Sequence, residues 1–112
     1  MSGIRQEKIA SLLKREIATV FQRETNTWFN GRFITITQVR MSPDLTLAKI
    51  YISIMVSKDK EADLEMIRSN TWRIKKKVAG TAGKHLRRMP DLNFYIDDSL
   101  DYYEGIDRLL KD

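Results

Sequence analysis

The stretch RIKKKVAGTAGKHLRR, residues 73–88, gathers seven Lys or Arg and one His without a single carboxylate. Guanidinium and ammonium groups at that density do one kind of chemistry well, which is to hold phosphate. Inside the stretch, Gly80, Thr81, Ala82 and Gly83 spell GTAG, which reads as a GxxG loop able to clamp a nucleic-acid backbone. The question is whether the cations form a face and whether the glycine pair is a clamp.

The charge is strongly uneven along the 112 residues. Residues 1–67 carry ten basic and eight acidic side chains, residues 68–90 eight basic and none acidic, and residues 91–112 two basic and seven acidic. The net charge of +5 therefore conceals a positive block followed by an acidic tail. Other chemistries find little material. There is no cysteine and one histidine, so zinc sites and nucleophile–base pairs are hard to assemble. No metal, cofactor, small-molecule substrate or catalytic role is expected. Asp97 and Asp98 read as a strand end before a helix N-terminus rather than as a catalytic pair.

The elements that must position the cations follow from periodicity. Ile4 to Arg23 predicts an amphipathic helix with Ile9, Leu12, Leu13, Ile17, Val20 and Phe21 on one stripe. The loop ETNTWFNGR follows, in which Trp28 and Phe29 are expected to cover an edge of the core, with base stacking the lesser alternative. FITITQVRM (33–41) and LTLAKIYISIMV (45–56) predict two strands joined at Ser42-Pro43-Asp44 as an antiparallel hairpin. Ile50, Ile52, Ile54 and Val56 are expected to point one way, and Lys49, Tyr51 and Ser53 the other.

Helical spacing then runs from residue 61 to Met89, before Pro90. One straight helix of that length would span ~43 Å, beyond the roughly 34 Å diameter of a compact domain this size. A break is expected either at Ser69-Asn70-Thr71 or at Gly80 and Gly83, all weak helix formers. DLNFYID (91–97) predicts a third strand, and Leu100, Tyr103, Ile106 and Leu110 the apolar side of a last helix. The order is α-β-β-α-β-α in one domain, residues 1–112, of the α+β class.

On a helical wheel with Ile74 at zero, Ile67, Val78, Ala82, His85, Leu86 and Met89 fall within about 20–120°. Arg73, Lys76, Lys77, Lys84, Arg87 and Arg88 fall at about 200–320°, with Gly80 among them and Lys75 on the apolar border. Like charges on one face repel, so a polyanionic partner, nucleic acid before a membrane surface, explains them better than solubility does. His85, on the apolar side, is expected to serve the core. Only six residues separate Gly83 from Pro90, too few for a second clamp helix, so GTAG is read as small residues that let the helix pack closely or bend. The start MSGIRQEKIA has no apolar signal region, and no apolar run approaches a membrane span. A cytoplasmic monomer is expected.

Three longer stretches carry a resemblance to a known family. RQEKIASLLKREIATVF, ITQVRMSPDLTLAKIYIS and above all LRRMPDLNFYIDDSLDYYEGIDRLL, in that order and spacing, resemble the ribosome-binding factor A family. The resemblance implies a KH-like fold of the helix-first type, its three-stranded sheet covered by helices on one face. It implies a partner, the small ribosomal subunit, and contact with its rRNA through a kinked helix pair. It further implies a non-enzymatic role in late subunit maturation and in cold adaptation. The family's Ala-x-Gly kink is not present, and Asn70-Thr71-Trp72-Arg73 stands in its place. The candidate RNA-binding residues are Asn70, Arg73, Lys75, Lys76, Lys77, Lys84, Arg87 and Arg88. A general single-stranded RNA module that uses GTAG, and a protein adaptor that uses the acidic segment Asp97 to Asp107, remain alternatives.

Overall fold

The computed structural model describes residues 2–97; the expected last helix, Asp98 and the rest of the acidic tail lie outside them. Helix α1, Ser2–Arg23, buries Leu13, Ile17, Val20 and Phe21, the stripe that the periodicity marks out. Strands β1, Ile34–Met41, and β2, Leu47–Ile54, pair antiparallel, and β3, Asp91–Ile96, pairs parallel to β2. The sheet order is β1-β2-β3, with β2 in the centre. Helices α2, Lys60–Ser69, and α3, Thr71–Ala82, form the crossover that a parallel pair requires.

Alternation along the strands sets one face of the sheet against the helices. Ala48, Ile50, Ile52 and Ile54 of β2 and Leu92 and Phe94 of β3 are buried under α1, α2 and α3, with Ile67, Ile74 and Val78 opposite them. The open face carries Tyr51 and Tyr95, stacked with centroids 5.5 Å apart. The register slips between Ile36 and Gln38, which leaves Thr37 as the extra residue of a bulge. Its hydroxyl donates to the Asp97 carboxylate, while the Asp97 amide donates to the Ile52 carbonyl and extends the sheet by one bond. This is the α+β, KH-like arrangement expected, with helices on one face.

The core centres on aromatic contacts at the base of α1. Phe21 meets Phe29 edge-on at 5.2 Å and Phe94 at 6.0 Å. Phe29 is thus fully buried core rather than an edge cover, and Trp28 packs half-buried beside it.

Two expectations about the strands and helices need correction. β2 ends at Ile54, so Val56 does not join the inward row; it is 83% exposed with a φ of 54°. The long helix is interrupted twice. Asn70 separates α2 from α3, at the first of the two expected places. Helix α3 then stops at Ala82, and a single 3-10 turn, Gly83–His85, leads to an extended Leu86. Gly80 and Gly83 each weaken the helix by about 1 kcal/mol relative to alanine. Thr81 adds a hydroxyl 3.2 Å from the Val78 carbonyl, competing with the backbone ladder. Leu86 and Met89 keep the helical spacing without the helix.

Candidate nucleic-acid interface

The break at Asn70 is closed by its own hydrogen bonds. Its amide N–H donates to the Ile67 carbonyl at 3.0 Å, and its carbonyl accepts from the amides of Arg73 and Ile74 at 3.0 and 3.1 Å. The side-chain Nδ2 donates to the Met66 carbonyl at 2.9 Å and to the Trp28 carbonyl at 3.3 Å. These bonds satisfy backbone groups at both helix ends without a small-residue kink. Asn70 therefore acts as a hinge pin that also fixes the position of Trp28.

Immediately after the break, Trp72 stands off the helix with 62% of its surface exposed. The guanidinium of Arg73 lies 5.6 Å from the Trp28 ring centroid and 5.3 Å from that of Trp72. Lys77 Nζ lies 5.8 Å from the Trp28 ring. These contacts line an open groove of about 430 Å³, whose far wall is Lys76, Gly80 and Thr81. Gly80 leaves the groove unobstructed: a Cβ there would meet nothing within 4 Å. Aromatic faces flanked by cations present both halves of single-stranded nucleic-acid recognition, stacking for bases and charge for phosphates.

The eight candidate residues do not share one surface. Arg73, Lys76 and Lys77 stand together on the exposed side of α3, opposite buried Ile74, Val78 and Ala82. Lys75 turns the other way and binds Asp91 of β3 at 2.8 Å. That hydrogen bond, and then the Lys75 charge, hold the Asp91 carboxyl below its ordinary pKa. Lys84 lies on the 3-10 turn, and Arg87 and Arg88 lie on a bend in the link to β3. The six-cation helical face is thus corrected to three on α3 and three beyond it, because the helix stops early. Within the block, exposed Arg68 is also engaged, donating to the Phe94 carbonyl of edge strand β3 at 3.0 Å. Lys77 and Glu24 approach only to 3.8 Å, a loose surface pair that leaves most of the positive field in place.

His85 is exposed rather than in the core, a second consequence of the early helix end. GTAG is not a clamp loop: the helix ends within it, Ala82 packs fully buried in the core, and the two glycines face open space. Gly80, Thr81 and Ala82 form the last turn of α3, and Gly83 has a right-handed φ of −57° with open space around it. Trp72 is absent from the eight candidates, and the groove lends weight to base stacking, the lesser of the two sequence readings of Trp28. The available signal was a tryptophan lying off the apolar stripe, next to a helix break.

A family model described as ribosome-binding factor A matches residues 5–110. The chain is 42% identical over 111 residues to ribosome-binding factor A of Cytophaga hutchinsonii, covering 99% of this chain and 84% of that protein. The crystal structure of ribosome-binding factor A from Thermus thermophilus superimposes with a TM-score of 0.68 at 22% identity, over 81% of this chain and 94% of that one. A Thermus thermophilus homology model fitted into a cryo-EM map of a 30S complex superimposes with a TM-score of 0.61 at 23% identity, over 80% and 91%.

Proposed function

The chain belongs to the ribosome-binding factor A family, and from that premise we propose that it binds the free small ribosomal subunit and contacts 16S rRNA through the tryptophan groove. The observation that carries this reading is Arg73 held against the rings of Trp28 and Trp72, with Lys76 and Lys77 beside them. An unpaired rRNA segment supplies what that groove lacks. Its bases stack on the indoles, and its phosphates meet the three cations. A relative fitted into a 30S complex supports the choice of subunit.

On this reading the protein acts in the cytoplasm as a monomer and an assembly factor. Binding holds rRNA in a conformation that late processing and maturation require, including in the cold, and involves no bond-making by the protein. The fit of Arg73 between two rings favours a positioned strand over diffuse attraction, because a cation over an indole is oriented as well as attracted. Substituting Arg73→Glu, Lys76→Glu and Lys77→Glu together should abolish co-sedimentation with purified free small subunits while leaving the thermal transition in place. Undiminished co-sedimentation would reject the groove as the rRNA contact.

A further inference from the structure

We infer that the chain has a second phosphate-binding cleft, built by the start of α1 and the link before β3, and that the bound RNA strand continues into it from the tryptophan groove. The inference rests on the proposed rRNA contact and extends it to Arg5 and Lys8, which the positive block does not contain.

The cleft, about 420 Å³, lies between the first turns of α1, the β1–β2 turn and residues 85–90. Arg5 and Lys8 enter it from one end of the sequence, and His85, Arg87 and Arg88 from the other. Composition did not place them together; the antiparallel run of α1 against α3 did. Glu24 faces Lys77, Glu16 faces Thr81 at 3.1 Å, and further toward the start of α1 Arg5 and Lys8 line the same cleft as residues 85–88. The groove and the cleft therefore follow one another along a single helix pair.

Among the described residues, Arg5, Lys8 and Arg87 take part in no ion pair. Arg88 acts only at a distance on Asp91, which already holds Lys75. The one carboxylate in the lining among the described residues, Asp44, stays ionised but has one oxygen engaged by its own turn, and it faces four Arg or Lys side chains in the same lining. Its Oδ1 accepts from the Ser42 hydroxyl at 2.7 Å, the Thr46 hydroxyl at 2.8 Å and the Thr46 amide at 3.2 Å. That bracket holds Leu45 at a φ of 64°, a left-handed conformation costly for a residue with a Cβ. Leu45 joins Ile9, Leu86 and buried Pro90 as the apolar part of the cleft. A basic rim over an apolar floor suits a nucleotide, its phosphate outside and its base or sugar within, better than a bare anion.

The test is the salt dependence of binding to free small subunits by the full chain. Arg5→Gln with Lys8→Gln keeps helix propensity and removes two charges from exposed positions. Each lost phosphate contact lowers the slope of log K against log salt by about 0.7–0.9. The double variant should therefore bind roughly tenfold more weakly at moderate salt, with a slope smaller by about 1.5. Unchanged affinity, or weaker binding with an unchanged slope, would overturn the cleft. Lys76→Gln with Lys77→Gln is run beside it. If that pair weakens binding and the Arg5/Lys8 pair does not, the groove stands and the cleft falls; if neither weakens binding, both fall.

Discussion

The Asn70 side-chain amide donates to the backbone carbonyl of Trp28 at 3.3 Å, joining the break between α2 and α3 to the loop that supplies one wall of the groove. The same nitrogen donates to the Met66 carbonyl. One residue thus sets both the angle between two helices and the position of an indole. Asn70→Ala should remove two hydrogen bonds and destabilise the fold by about 1–2 kcal/mol. Subunit affinity should fall as well, because Trp28 loses its tether. Urea unfolding and co-sedimentation of the same variant check both outcomes.

Trp72 contributes differently, since little of the fold rests on an indole that is mostly in solvent. Trp72→Ala should shift stability by less than about 0.5 kcal/mol. It should nevertheless weaken RNA binding by ~1–3 kcal/mol, the range for one stacked base. Trp72→Phe should recover much of the loss. Equilibrium titration of small subunits with the two variants separates stacking from charge.

The glycines of GTAG give a prediction opposite in sign to that of a clamp. Gly83 has a φ of −57°, and a Cβ added to it would have no neighbour within 4 Å. Gly83→Ala should stabilise the protein by about 0.4–1 kcal/mol, mainly by restricting the unfolded chain. Subunit binding should be unchanged. A backbone clamp would lose binding on the same substitution, and a melting curve with a binding assay decides between them.

The Lys75–Asp91 contact predicts a particular acid response. Its hydrogen bond and charge depress the Asp91 carboxyl in the folded state. The resulting stability is present above the ordinary carboxylate pKa of about 3.9 and is lost as pH falls through the depressed value. Asp91→Asn should therefore be less stable than the parent near neutrality and converge with it in strong acid. Thermal melts from pH 7 down to pH 2 would show that convergence.

Much of this architecture could be read from residue order. The stripe of α1, the alternation of β2 and the Leu92–Phe94 pair are strong local periodicities, and packing did not override them. The end of α3 was harder to locate. Leu86 and Met89 continue its spacing, so the weak helix formers at Gly80 and Gly83 marked the stop more truly than the apolar pattern did. The misplacement of His85 and of the three later cations follows from that single boundary. Trp28 beside Arg73, and Arg5 in the same cleft as Arg87, are products of tertiary packing with no local sequence signature.

Since β2 and β3 are parallel, the segment carrying the tryptophan groove is the only described covalent route between them. Helix α3 lies on the path between two strands and packs on the sheet layer through buried Ile74, Val78 and Ala82. Its amides and those of β3 should exchange with deuterium as one cooperative block. Ligand held on the indoles would then slow exchange in β3, on the far side of the helix layer, at amides it never touches.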